Sequence, residues 1–210
     1  MYSKLQYISQ GVTSAEHYEN IASALEAGCD WIQLRFKDKK EMQESKLAER
    51  VKELCTKYKA TFIVNDFVDI AKAVDADGIH LGLDDDSIAN ARAILGKDKI
   101  IGGTANTLEH VIKRIEEKCD YVGLGPFRFT ATKEKLSPIL GAEGYTNILN
   151  ELKAKNLSVP IYAIGGIETG DIETIMNAGV HGIAVSGLIT KNQNKKELVE
   201  QLNTLMHANA

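Results

Sequence analysis

The chain has 210 residues, 44% of them hydrophobic and 26% charged, with a net charge of −4 and an isoelectric point near 5.8. That composition can bury a sizeable core and excludes a disordered chain. Its acidity argues against nucleic acid as the main partner, because phosphate-backbone binding needs a basic face, while small anionic ligands that answer to local cations stay open. Cys29, Cys55 and Cys119 are odd in number and widely spaced without a C-x-x-C pair. This fits reduced cytosolic thiols rather than a disulfide framework or a zinc site. No stretch approaches 18 apolar residues and MYSKLQYISQG lacks a signal-peptide core, so the expectation is a soluble, cytoplasmic protein with no membrane partner.

Taken in order, one unit keeps returning. KLQYIS reads as a strand, followed by Thr13 and Ser14 as caps and a helix through Glu26 that Gly28 ends. DWIQLRFK is the second strand, with an amphipathic helix over about residues 40–58 behind it. TFIVN and GIHL are the third and fourth strands, joined by a short helix, and SIANARAILG is the helix after them. KIIGGT, DYVGLG, VPIYAIGG and GIAVSG supply strands five to eight; TLEHVIKRIEEK and ETGDIETIMNAG are helices between them, and ELVEQLNTLMHA closes the chain. Short apolar strands alternating with helical patterns mean βαβ units, and eight of them predict a closed (β/α)8 TIM barrel in a single domain over residues 1–210. An open doubly wound sheet predicts a glycine fingerprint after the first strand, where the chain has only ISQGVTSAE. The one long insertion, PFRFTATKEKLSPILGAEG, follows strand six, and loops of that length are usually functional or mobile.

The third and fourth strands run into polar groups unsuited to a core, Asn65 and Asp66 after one and Asp84 to Asp86 after the other. Parallel strands point their C-terminal ends the same way, so these acids emerge on one rim, close enough to share a cation such as Mg²⁺. The plainer reading has Asp66 and Asp86 capping the helices that follow. On the second strand, period two puts Gln33, Arg35 and Lys37 inward and Leu34 and Phe36 under the helices. An inward Arg and Lys at a strand exit call for an anion, the competing reading being an ion pair of Arg35 with Asp66 or Glu26. Thr130, Thr132 and Lys133 form a weaker phosphate signal in the long loop. Gly165–Gly166 and Ser186–Gly187 end strands seven and eight, where backbone N–H groups can cradle a phosphate. His80 reads as a satisfied core histidine, and His17, His110, His181 and His207 carry no signal.

DWIQLRFKD, FIVNDFVDIAKAVDADGIHLGLDD, DYVGLGPFRFTATK, PIYAIGGI and GIAVSG, in this order, resemble the thiamine phosphate synthase family over about Tyr7 to Thr190. The resemblance implies a (β/α)8 enzyme that joins a hydroxymethylpyrimidine diphosphate to a thiazole phosphate, releasing pyrophosphate, with Mg²⁺ required. It implies that Gln33, Arg35, Lys37 and Asn65 hold the pyrimidine diphosphate, that Asp66 and Asp85 bind Mg²⁺, and that Lys133 meets the departing pyrophosphate. Arg35, Lys37 and Lys133 are thus the expected catalytic cations. Thr130 and Thr132, with the backbone at Gly166 and around Ser186–Gly187, are expected to hold the thiazole phosphate. The chain departs from the family pattern at Phe67, where Arg is usual, at Leu83, where Gln is usual, at Ser186–Gly187, and at Thr104, which replaces a pyrimidine-contacting Ser and keeps its hydroxyl. A related thiazole tautomerase has His where this chain has Pro126, and a non-catalytic phosphate-ligand barrel is the third reading. A homo-oligomer is compatible with all three.

Overall fold

A computed structural model describes residues 2–36, 41–129 and 138–208, apart from the side chains of residues 41–44. Eight parallel strands close a barrel in sequence order: β1 Leu5–Ile8, β2 Trp31–Leu34, β3 Thr61–Asn65, β4 Gly78–Leu81, β5 Ile100–Ala105, β6 Tyr121–Leu124, β7 Ile161–Ile164 and β8 Gly182–Val185. Closure comes from β1 pairing with β8, Leu5 opposite Ile183 and Tyr7 opposite Val185. Around it lie α1 Ser14–Glu26, α2 Glu41–Tyr58, α3 Val68–Ala73, α4 Ile88–Leu95, α5 Leu108–Glu116, α6 Gly141–Ala154, α7 Ile172–Asn177, α8 Gly187–Thr190 and α9 Lys195–His207, with a 3₁₀ turn at Thr169–Asp171 before α7.

The helix boundaries follow from local chemistry. Thr13 caps α1 by accepting from the Glu16 N–H at 3.2 Å while the Glu16 carboxylate accepts from the Thr13 N–H, the reciprocal pair that satisfies two orphan donors. Gly28, at φ 103°, ends the same helix as expected from the sequence, its N–H donating to Leu25 O at 3.0 Å. Ser87 and Thr107 cap α4 and α5 by accepting from the N–H groups of Asn90 and His110, without the reciprocal bond. The short helix α8 was not foreseen, because GLIT carries no periodic apolar pattern of its own.

Alternation sorts each strand between two cores. Ile32, Leu34, Phe36, Phe62, Val64, Ile79 and Leu81 face outward into the layer beneath the helices. Each such buried side chain stabilises the fold by roughly 1.5–3 kcal/mol relative to leaving it in water. Ile8, Trp31, Ile63, Tyr121, Tyr162 and Ala184 point inward and plug the barrel. The Trp31 ring meets Tyr121 and Tyr162 edge-on, with centroids 5.1 and 5.2 Å apart. A Cβ at Gly102 would stand 2.1 Å from the Tyr121 ring, so a bare backbone on β5 is what admits that ring. The plug fills the lower barrel and leaves Gln33, Arg35, Asn65, His80 and Thr104 at the top.

The thiols of Cys29, Cys55 and Cys119 are buried and unbridged, and burial pushes each up to about 12. They are protonated and inert at neutral pH, in keeping with the reduced thiols expected from their spacing. Among the described residues no helix is long and apolar enough to cross a membrane.

Candidate active site

Every strand exit described here opens on the same rim, the C-terminal face of the barrel. Of the inward set expected on β2, Gln33 and Arg35 are as period two predicts. Gln33 is buried under the mouth and Arg35 lines the cavity above it, while Leu34 and Phe36 lie in the outer core. The Gln33 Nε2 makes no hydrogen bond of ordinary length, although the carboxamide is close enough to favour the ionised form of the Tyr121 hydroxyl. Burial lowers the Arg35 pKa, and the negative charges of Asp66 and Asp85 pull it back, so the three groups share one electrostatic neighbourhood. Glu26 is exposed at the end of α1, which leaves Asp66 as the acid of the two that Arg35 feels.

Asp66 is not a helix cap. It sits at φ 68°, donates its N–H to His80 O at 2.9 Å, and leaves Phe67 as the capping position of α3, with no side-chain bond. Asp86 does serve the helix start, accepting from the Ser87 N–H at 3.0 Å and from Asn90 Nδ2 at 2.7 Å, although Ser87 itself is the cap. The two acids that read alike in sequence therefore have different duties. Asp85 folds back over the β4 exit and accepts from the Gly82 N–H at 2.6 Å. Among the described residues no three His, Cys, Asp or Glu side chains converge as a ready-made metal cage. Two carboxylates on neighbouring strand exits are a hard-oxygen donor set that suits Mg²⁺ once a ligand adds oxygens of its own.

Beside these acids, and bordered by Arg35, is a cavity of about 450 Å³. Its wall includes Arg35, His17, Pro126, Gly165, Gly166, Ser186, Gly187 and Lys191, and no carboxylate is among its described lining residues. A Cβ at Gly165 would stand 2.8 Å from Pro126, and one at Gly166 3.0 Å from the Arg128 Cβ, so both positions need glycine for space as well as for their φ of 96° and 68°. Gly187 turns its missing side chain toward Gln10 and the stem of Lys191. Pro126, where the tautomerase pattern has His, offers the cavity no acid or base. Lys37, Thr130, Thr132 and Lys133 lie outside the described residues, as do residues 130–137 of the loop expected to be mobile. The base of that loop is closed: Leu140 and Gly141 donate their N–H groups to Pro126 O and Phe127 O, both at 3.0 Å.

Three contributors were missed in the sequence. His17, read as carrying no signal, is buried in the cavity wall. Its Nε2 is 3.1 Å from Gly11 O, which can only accept, so the proton is on Nε2 and Nδ1 accepts from Ser9 Oγ at 2.8 Å. Ser9 Oγ in turn accepts the Arg35 backbone N–H at 2.9 Å, which ties this ring to the β2 exit. Desolvation lowers the His17 pKa and keeps it neutral. The buried Arg114 spans two exits, donating to Thr104 O at 3.1 Å and Gly82 O at 2.7 Å. Arg128 does the equivalent for β7. His80 is, as expected, a satisfied interior histidine, bonded at 3.0 Å to both Tyr121 Oη and Thr104 Oγ1.

The large hydrophobic side chains left exposed among the described residues, Val12, Phe67, Leu83, Phe129 and Ile139, all lie in loops of this rim. They form an apolar collar around a charged mouth.

The thiamine monophosphate synthase family model matches residues 6–189. The chain is 59% identical to a thiamine-phosphate synthase of Flavobacterium psychrophilum, over 97% of this chain and 98% of that one. It is 56% identical to the thiamine-phosphate synthase of Flavobacterium johnsoniae, over 100% of this chain and 99% of that one. A solved thiamine phosphate pyrophosphorylase from Pyrococcus furiosus superposes with a TM-score of 0.83 at 29% identity, covering 98% of this chain and 96% of that one. With a family model matched over residues 6–189 and relatives alike over nearly their whole length, this chain belongs to the thiamine monophosphate synthase family.

Proposed function

We infer that this chain is a thiamine-phosphate synthase, a transferase acting as one domain over residues 1–210. It joins 4-amino-2-methyl-5-(diphosphooxymethyl)pyrimidine to 4-methyl-5-(2-phosphooxyethyl)thiazole and releases pyrophosphate. The observation that carries the reading is the division of the barrel mouth. Two carboxylates stand at the exits of β3 and β4, beside a glycine-walled cavity without carboxylates at the exits of β7 and β8, and Arg35 at the β2 exit faces both. A diphosphate that travels with a cation suits the first side, and a phosphate monoester suits the second.

In this reaction the bond from the pyrimidine methylene to the diphosphate breaks with its electron pair leaving on oxygen, and the thiazole nitrogen lone pair forms the new C–N bond. Such chemistry needs a stabilised leaving group and a dry site more than a strong base. Arg35 and Lys37 would hold the diphosphate, with Lys133 closing on it as it departs. Gln33, Asn65 and Thr104 would orient the pyrimidine. Gly166, Ser186 and Gly187, with Thr130 and Thr132 from the loop, would hold the thiazole phosphate, and the collar of Phe67, Leu83 and Phe129 would exclude water. Asp66 and Asp85 would hold Mg²⁺, which when bound supplies charge neutralisation for the leaving diphosphate. A turnover assay with both phosphorylated substrates and Mg²⁺, following pyrophosphate release, tests the reading; no product with both present would overturn it.

Two further results are expected. Calorimetry should record weak Mg²⁺ binding to the free protein and tighter binding with pyrophosphate, because two carboxylates leave most of the Mg²⁺ shell to water. Tight binding without pyrophosphate would remove that account of the metal. Lys133→Ala should lower kcat by roughly a hundredfold with a smaller rise in KM, as a charge that matters chiefly in the transition state would. A rise in KM alone would reassign Lys133 to simple binding.

A further inference from the structure

The peptide planes that end β7 are set by hydrogen bonds from the segment after β6. Phe127 N–H donates to Ile164 O at 2.9 Å and Arg128 N–H to Gly165 O at 3.0 Å. The Arg128 guanidinium then donates from Nη1 to Gly166 O at 2.8 Å. Three successive carbonyls are thus drawn to one side. In a planar trans peptide the C=O of one residue and the N–H of the next point in opposite directions. Fixing Gly165 O and Gly166 O toward Arg128 therefore turns the N–H groups of Gly166 and Ile167 away from it. Gly165, Gly166 and Ile167 all line the cavity, and among the described residues neither N–H has an acceptor. Two adjacent N–H groups aimed into one concavity are the donor pattern of an anion-binding nest.

Arg128 is itself held. Its Nη1 and Nη2 grip both Asp171 oxygens, at 3.0 and 2.9 Å, and Glu168 lies 3.4 Å from Nη1. Asp171 also accepts the Glu168 N–H at 2.8 Å, so the fork joins the β6 exit to the turn before α7. The guanidinium charge is spent on two carboxylates and the fork faces Gly166 O, not the cavity.

We propose that Arg128 is a positioning residue for substrate phosphate: by holding Gly166 O with the fork that Asp171 anchors, it sets the Gly166 and Ile167 N–H groups as a preformed phosphate nest. This rests on the reading above that the thiazole phosphate occupies the β7–β8 side. Lysine cannot reproduce the device, because one ammonium has no planar fork to span Asp171 and Gly166 O together.

The test uses Arg128→Met, Arg128→Lys and Asp171→Asn in the full chain, each checked for folding by amide-signal dispersion and melting temperature. Inorganic phosphate is titrated into ¹⁵N-labelled protein, and KM is measured for both substrates. In the parent the Gly166 and Ile167 amide signals should shift with phosphate. In Arg128→Met they should shift little, and KM for the thiazole phosphate should rise about tenfold or more, with kcat and the KM of the pyrimidine diphosphate within about twofold. Arg128→Lys should resemble Arg128→Met, and Asp171→Asn should fall between them and the parent. Full recovery by Arg128→Lys would show a plain charge effect and overturn the proposal. A lowered melting temperature with both KM values unmoved would overturn it as well, leaving Arg128 a structural brace. If phosphate fails to shift these amides in the parent, the phosphate placement itself is wrong, which is a different failure from a parent that responds and an Arg128→Met variant that responds equally.

Discussion

The Asp66→Asn enzyme is expected to lose about a thousandfold in kcat/KM while folding as the parent does. The exchange is nearly isosteric, and Asn is among the few residues that accept the left-handed backbone found here at φ 68°. The Asp66 N–H bond to His80 O and the Phe67 N–H bond to Asn65 O involve only backbone and survive the change. Stability should move by less than about 0.5 kcal/mol, since the shape is kept and Phe67, not Asp66, stands at the cap of α3. What disappears is one of the two carboxylates proposed to hold Mg²⁺ beside the diphosphate. The diagnostic is the metal dependence: half-maximal rate should require several times more Mg²⁺, with part of the activity returning at high concentration. A rate loss with unchanged Mg²⁺ dependence would separate Asp66 from the metal.

Arg35→Gln is expected to lower kcat/KM by about a hundredfold to a thousandfold, mostly through the pyrimidine diphosphate. Arg35 is half-buried, and burial works against its charge while Asp66 and Asp85 favour it. Without the guanidinium those carboxylates face an incoming diphosphate with no fixed cation between them, so like charges repel where a planar fork used to bind. Arg35→Lys should recover part of the loss as a point charge that lacks the fork. Steady-state kinetics with each substrate varied in turn decides it. Unchanged kcat and unchanged KM for the diphosphate would make Arg35 only a structural partner of Asp66.

What was legible in the sequence follows from what is local. All eight strands announce themselves as short apolar runs, and alternation on β2 correctly sends Arg35 inward and Phe36 outward. The Gly165–Gly166 turn could be anticipated because paired glycines at a strand end restrict the backbone to few uses. Illegible were the groups whose partners lie far along the chain. Arg128 and Asp171 are 43 positions apart, Arg114 and Gly82 are 32 apart, and nothing in either neighbourhood hints at the other. His17 looked like an ordinary helical residue because its partners, the acceptor Gly11 O and the donor Ser9 hydroxyl, come from a segment whose shape depends on the finished barrel. Asp66 and Asp86 looked equivalent as caps because an N-cap and a strand-exit ligand favour the same side chain, and only backbone conformation separates them.

The interior chain of Tyr121, His80 and Thr104 has a direction. Gln6 Nε2 donates to Tyr121 Oη at 3.2 Å, and the Gln33 amide also bears on that oxygen. A phenol that accepts from the Gln6 amide has its own proton left to give, and His80 Nδ1 is 3.0 Å away to take it. His80 then carries its own proton on Nε2 and donates to Thr104 Oγ1, which leaves the Thr104 hydroxyl proton for another acceptor. The opposite setting would leave the buried Tyr121 proton without an acceptor, a cost of about 1–3 kcal/mol. The barrel therefore meets a ring at this height with a donor whose polarity was decided three side chains below. A heterocycle that presents a lone pair there is welcomed, and a tautomer that presents N–H meets another hydrogen head-on.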